Sequence, residues 1–398
     1  MRRVPLDHPS IDGAVLVRDI RGASGDILAR TGMRLSVRAA RALREHGIAS
    51  AFIEDAACVG LDIHPLVDVH GADNGLARAM RDAIQIASRA VAPLSQQPTS
   101  RVLVSLKDVR FIPAMDTTGA MEALRGAVYS LVERGRDEDP GAGFLAERQP
   151  GDDLIGHSLG VAALSIRLAA DLGFAHGDLV WTGLAGVMHD IGMLMVPDEV
   201  RRTPVALRTT GQQRRYEDHT VLGGALLKAL EKRAPALPLV ALEHHEEQSG
   251  GGYPNGLTGG NRILRNASAE LPRITLVSEI IAVADRYERL MAGAPGEAPL
   301  SPAAARHIVA GEAGPKLNAE VVGRLLDLVP RYPLGTDVIL HGGSHEGARA
   351  VVVQQGPERD RPVVRVYATP SGSVTATDVA LVSQPGVTLV PADERIAA

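Results

Sequence analysis

The chain has 398 residues, a net charge of -5 and only 3% aromatic residues. The length suits two or three domains. The mild charge gives no general attraction to nucleic acid polymers or anionic membranes, and few aromatics are available to stack on single-stranded bases. One cysteine, Cys58, excludes an internal disulfide framework and fits a reducing cytosol. No apolar run approaches the roughly 20 residues that span a bilayer. The N-terminus has two arginines without an apolar stretch behind them. The expectation is a cytoplasmic protein with no membrane insertion.

In chain order, residues 1–70 read as a small α/β module. Val15 lies in a strand-like run at 14–17, Ile27 and Leu28 suggest a second strand, and Ser36 is an N-cap for a short helix. Residues 71–150 read as a helical connector and linker, with helices near 75–92 and 119–133 around a strand-like run from Arg101 to Pro113. From 151 to 330 the period is helical, with helices expected near 154–172, 178–191, 212–232, 236–246, 272–291, 302–311 and 318–328. A glycine-dense stretch, Glu246 to Asn261, interrupts it, which implies special backbone angles or close approach to a ligand. Residues 331–398 form a β-rich module with runs near 338–340, 350–353, 363–367, 379–382 and 387–390.

The helical region carries metal-ligand residue types on apolar faces. His189 and Asp190 end the apolar run from Leu179 to Met188. His157 precedes Val161, Leu164 and Leu168 at helical spacing, and His219 precedes Leu222, Leu226 and Leu230. His244, with His245 beside it, follows Leu237, Val240 and Ala241; Asp285 follows Val277 and Ile281. Any one of these is most simply a core histidine bonded to a carbonyl, or a surface accident. Together, five histidines and two aspartates are too many polar groups to bury without shared cations. A nitrogen and oxygen donor set without thiolates suits iron, manganese or zinc. Seven ligands exceed one tetrahedral ion and suit two ions bridged by a carboxylate.

The motifs HDIG at 189–192, HHE at 244–246 and GYP at 252–254, in this order, resemble the HD-GYP subgroup of the HD superfamily over about 152–328. The resemblance implies a multidomain protein. Its core would be an all-α HD-type helical domain, flanked by small β-containing N- and C-terminal modules. Leu16 to Ile20 with Gly25 to Leu28, and Tyr332 to Thr336, are similar to segments that often flank that domain. It further implies two transition-metal ions, iron or manganese by preference. Asp190 would bridge them, with His157, His189 and Asp285 on one and His219, His244 and His245 on the other. His189 and Asp190 would carry the catalysis. Asp152 or Asp153, one turn before His157, stands where three-metal members carry an acidic ligand. Gly250, Gly251, Gly252, Tyr253 and Pro254 would form a substrate contact or a docking loop for other signalling domains.

The implied activity is hydrolysis of a cyclic dinucleotide substrate, cyclic di-GMP, to pGpG or GMP in bacterial second-messenger signalling. Four positions depart from the family: Met193 replaces a lysine, Ser249 an aspartate, Glu279 an arginine and Glu288 a second aspartate. Two alternatives therefore stand beside the first reading. One is a protein with a degenerate substrate shell that binds nucleotide or a partner. The other is a phosphohydrolase for a different cyclic dinucleotide. On the family pattern alone, a lysine at position 193 is expected to raise activity.

Overall fold

The computed structural model describes residues 2–21, 27–46, 48, 50–58, 61, 75–108, 118–135, 153–230, 236–263, 273–293, 300–358 and 360–392. Their apolar side chains fall into three main cores, one helical and two in the flanks.

In the N-terminal part, β1 (Arg2–Pro5) pairs antiparallel with a later strand, Ser50–Ile53, and β2 (Ile20–Arg21) pairs with β3 (Ile27–Ala29). Helix α1 (Val37–Glu45) starts where Ser36 accepts a hydrogen bond from the Ala39 amide, and it buries Ala40 and Leu43. The Ser50–Ile53 strand is β4. The run at 14–17 is not a continuous strand. Val15 bridges to Arg34 while Leu16 bridges to Ile53, so successive residues pair with different neighbours and no ladder extends. Of the expected turn at Gly25 and Asp26, nothing lies within the described residues.

The helical core contains α2 (Gly75–Val91), α3 (Thr99–Leu106), α4 (Thr118–Gly135), α5 (Asp153–Asp171) and α6 (His176–Met188). It continues through α7 (Asp198–Arg202), α8 (Thr210–Glu217), α9 (His219–Leu230), α10 (Ala236–Glu243), α11 (Leu276–Ala292), α12 (Pro302–Glu312) and α13 (Ala319–Leu328). By length and composition α5 could cross a membrane, yet most of it is buried inside this core.

Two elements differ from their expected form. The strand-like run from Arg101 is helix α3 through Leu106; 109–113 lies outside the described residues. Val102, Val104 and Leu106 alternate as a strand would, but only Val102 and Leu106, four apart, are buried, while Val104 is 70% exposed. One buried stripe is what a helix needs. The single helix expected at 212–232 is two. Helix α8 has a capping box, Thr209 with Gln212, and ends at Asp218; α9 starts afresh at His219. Helices α2 and α4 share the core of α5 and α6, so these two connector helices pack onto the metal-ligand region.

The C-terminal part is a five-stranded antiparallel sheet of β5 (Asp337–His341), β6 (Arg349–Gln354), β7 (Val363–Thr369), β8 (Gly372–Ala380) and β9 (Thr388–Pro391), in the order β8-β7-β6-β5-β9. Alternate residues Val338, Leu340, Ala350, Val352, Val364 and Val366 fill its core. Buried Cys58 packs with Ala57 against Val351 of β6, and Arg365 donates to the Ala57 carbonyl. The two flanks thus touch each other, which their sequences do not reveal.

Candidate metal centre

The helices bring all seven expected side chains to one place. Helix α5 supplies His157, the C-terminus of α6 supplies His189, and α11 supplies Asp285. The first residue of α9 is His219, and His244 and His245 directly follow α10. Six are buried and His245 is half-buried.

Glycines set the approach of these elements. A Cβ on Gly186 would lie 2.6 Å from the Ala162 Cα, so α6 and α5 are in backbone contact there. After Asp190 the chain makes a 3-10 turn, Ile191–Met195. A Cβ on Gly192 would sit 1.9 Å from the His219 carbonyl oxygen. The glycine of HDIG is therefore what lets the His-Asp doublet abut the start of α9.

The ligand atoms form two groups. In one, His157 Nε2 lies 2.9 Å from Asp285 Oδ1 and 3.2 Å from His189 Nε2. Asp190 Oδ2 faces it, 3.5 Å from His157 Nε2 and 3.6 Å from His189 Nε2. In the other, Asp190 Oδ1 lies 3.2 Å from His219 Nε2 and 3.4 Å from His244 Nε2. The His245 ring stacks against that pair, 4.2 Å from the His244 ring and 5.1 Å from the His219 ring. The two oxygens of one carboxylate thus face two separate sets of imidazole nitrogens.

The other ring nitrogen of four histidines is tied down. Nδ1 of His189 bonds the Gly186 carbonyl at 2.7 Å, that of His219 the Tyr216 carbonyl at 2.7 Å, and that of His244 the Ala241 carbonyl at 3.0 Å. Nδ1 of His157 bonds Glu288. A carbonyl can only accept, so in His189, His219 and His244 Nδ1 carries the proton and Nε2 is left as a lone-pair donor directed inward. This is the outer support that metal-binding histidines generally have.

Two buried polar atoms at the centre, Asp190 Oδ1 and His245 Nε2, have no well-directed hydrogen bond among the described residues. An orphaned carboxylate oxygen and imidazole nitrogen among lone-pair donors fit bound transition metal. The absence of thiolate favours iron, manganese or zinc over softer ions.

Electrostatics agree with charged carboxylates and a neutral His245. Burial alone would raise the Asp190 carboxyl, but His189 and Arg289 outweigh it and hold it well below the usual range. Asp285 is likewise held down against its burial, by Arg289 and His157. Burial, with His244 and His219 adding to it, keeps His245 well below the ordinary histidine value.

Arg289 joins the cluster without belonging to any of the motifs. Its Nη2 donates to Asp190 Oδ2 and its Nε to Asp285 Oδ1, both at 2.7 Å. The available signal was its place on α11, four residues after Asp285 and so on the same face.

The glycine-dense loop is fastened throughout. Glu246 accepts hydrogen bonds from the amides of Asn255 and Leu257, and the Tyr253 amide donates to the His245 carbonyl. A Cβ on Gly252 would meet the Glu247 amide nitrogen at 2.3 Å, so Gly252 packs directly on the backbone beside His245. The Tyr253 ring lies 4.9 Å from the His245 ring. Pro254 follows through a cis peptide bond, and Gly250 takes a positive φ. Gly251 is exposed. Asp152 lies outside the described residues, as does the side chain of Asp153.

The four departures from the family pattern resolve differently. Glu288 accepts from His157, and Gly160 leaves room for it: a Cβ there would be 2.9 Å from the Glu288 Cγ. Glu279 is buried and accepts from Gln248 and Asn318, both at 2.9 Å, tying the glycine loop to α11 and α13. Ser249 holds the loop through its amide, which donates to the Pro315 carbonyl. Met193 is 6% exposed and packs with Val196, Val200, Leu154 and Tyr216. A lysine there would enter an apolar cluster, which alters the expectation for that position.

Residues 137–321 match the HD domain family. Over 291 residues the chain is 28% identical to the cyclic di-GMP phosphodiesterase PA4108 of Pseudomonas aeruginosa, covering 72% of this chain and 64% of that one. It is 30% identical over 201 residues to a cyclic di-GMP phosphodiesterase of Thermotoga maritima, covering 49% and 50%. It is also 30% identical over 140 residues to the 3'3'-cGAMP-specific phosphodiesterase 3 of Vibrio cholerae, covering 35% and 27%. The chain thus spans less than two thirds of the length of each of these relatives. Residues 137–321 are thus an HD domain, and within it the HDIG, HHE and GYP motifs of the HD-GYP pattern surround the clustered histidines and aspartates.

Proposed function

We propose that the protein is a metal-dependent phosphodiesterase that opens cyclic di-GMP to pGpG, and onward to GMP. The observation that carries this reading is the division of Asp190, Oδ1 toward His219 and His244, Oδ2 toward His157 and His189. His157, His189 and Asp285 would hold one ion, His219, His244 and His245 the other, and Asp190 both. Two such ions, when bound, supply a hydroxide nucleophile at neutral pH and polarise the phosphoryl oxygen. The chain itself fixes the histidine tautomers through the Nδ1 bonds. It also keeps His245 neutral as a lone-pair donor and seats the glycine loop beside the ligands.

Iron or manganese is the preferred pair, with zinc next. The domain reading proposed is 1–70, 71–150, 151–330 and 331–398, with the connector helices packed on the third unit. The exposed side of the glycine loop serves as a docking surface for other signalling domains, and the protein works in the cytoplasm without membrane insertion.

A second reading, a phosphodiesterase for another cyclic dinucleotide, is favoured by the relatives named for 3'3'-cGAMP. The test is turnover of a panel of cyclic dinucleotides by protein loaded with manganese or iron under reducing conditions. Linear products from cyclic di-GMP support the first reading. Turnover of 3'3'-cGAMP alone supports the second. No turnover with full metal content leaves a binding module.

A further inference from the structure

We propose that Arg289 is the cation that holds the phosphodiester in this site, an inference resting on the phosphodiesterase reading above. A guanidinium has five N–H donors in a planar fork. Two are used on Asp285 and Asp190, at 2.7 Å each. Of the rest, Nη1 has among the described residues only the Tyr216 hydroxyl, at 3.5 Å, which is long for a hydrogen bond. The side chain is 26% exposed, whereas the carboxylates it bridges are almost fully buried. Arg289 therefore presents unspent donors to solvent at the edge of the ligand cluster.

The fork is compatible with loaded carboxylates. Each carboxylate oxygen has two lone pairs, so one can face an ion while the other accepts from Arg289. The two carboxylates that accept from the guanidinium would offset its repulsion with any ions they also held. A phosphate oxygen drawn to the centre would then meet the Nη1 side, where a charge-assisted bond stronger than the long contact to Tyr216 would form.

Position 193 cannot serve this purpose. Met193 is buried beneath Tyr216, in the same corner as Arg289. The positive charge at this corner comes from α11, one turn after the ligand Asp285. Arg208 Cζ lies over the Tyr216 ring, 3.7 Å from its centroid.

The test compares the parent with Arg289→Met and Arg289→Lys, each reconstituted with manganese. Metal per chain is read by elemental analysis and inorganic phosphate binding by calorimetry. The expected result is retained metal in Arg289→Met with phosphate affinity weakened about tenfold to a hundredfold, partly restored by added guanidinium ion. Arg289→Lys falls between. If Arg289 only positions carboxylates, metal content falls while the sites still loaded bind phosphate as the parent does, and the proposal is overturned. A parent that binds no phosphate overturns it too. Should Arg289→Met shed its metal, Arg289→Lys decides, and phosphate affinity equal to the parent's is the contrary result. Absence of cyclic dinucleotide turnover by the parent would sink the phosphodiesterase reading alone, because phosphate binding is read independently.

Discussion

Met193→Lys separates the family pattern from the physics of this pocket. The family pattern leads to the expectation that a lysine here raises activity. The structure predicts the reverse. Met193 contacts Leu154, Val196, Val200 and Tyr216 and is nearly sealed from solvent. Losing its burial costs about 1.5–3 kcal/mol. The ammonium adds a desolvation cost, reduced where the stem can snorkel outward. Arg289, already beside Tyr216, repels the new charge. A net loss of about 2–4 kcal/mol is expected, enough to lower the denaturant midpoint clearly without unfolding a domain of ordinary stability. The assay is urea unfolding of the metal-free parent and variant, alongside phosphodiesterase efficiency at matched metal content. A variant as stable as the parent and more active would refute the reasoning and reinstate the lysine as this site's missing cation.

Three further outcomes follow from the geometry. Gly192→Ala should push the 3-10 turn off the start of α9, because its Cβ would overlap the His219 carbonyl; metal bound through His219 should be lost first, read by elemental analysis. Gly160→Ala should displace Glu288 and loosen the His157 tautomer, weakening metal affinity about 10–100-fold, read by competition with a chelator. For metal-free protein, Asp190 and Asp285 have folded values below their unfolded ones. Their stabilisation is complete above about pH 4 and is lost as pH falls through the folded values. His245, also depressed, opposes folding once the unfolded histidine charges below about pH 6.5. For His157, burial and Arg289 push down, but Glu288 and Asp285 prevail; its raised value gives stabilisation that fades as pH rises. The midpoint should therefore fall steeply in acid, as Asp190 and Asp285 protonate, and decline again above about pH 6.5 as His157 loses its proton, as followed by circular dichroism.

The ligands were legible because each sits where an apolar helical stripe demands a buried residue, so an Asp or His there stands out. Arg289 was not, because an arginine near the end of a helix looks like solvated surface until Asp190 is brought to it from α6, 99 residues earlier. Glu279 looked like a lost substrate contact; its partners Gln248 and Asn318 lie in distant segments and give it a structural role. The valines of α3 mimicked a strand because a short helix with one buried stripe can share that spacing. The contact of Cys58 with β6 joins opposite ends of the chain, and no local pattern encodes it.

The central claim is a two-ion centre bridged by Asp190. Elemental analysis after anaerobic reconstitution, on parent and Asp190→Ala side by side, tests it most directly. Two ions per chain are expected in the parent, and loss of at least one in the variant with the helical signal intact. A parent that retains no metal, or a variant that keeps the parent's full complement, would contradict it.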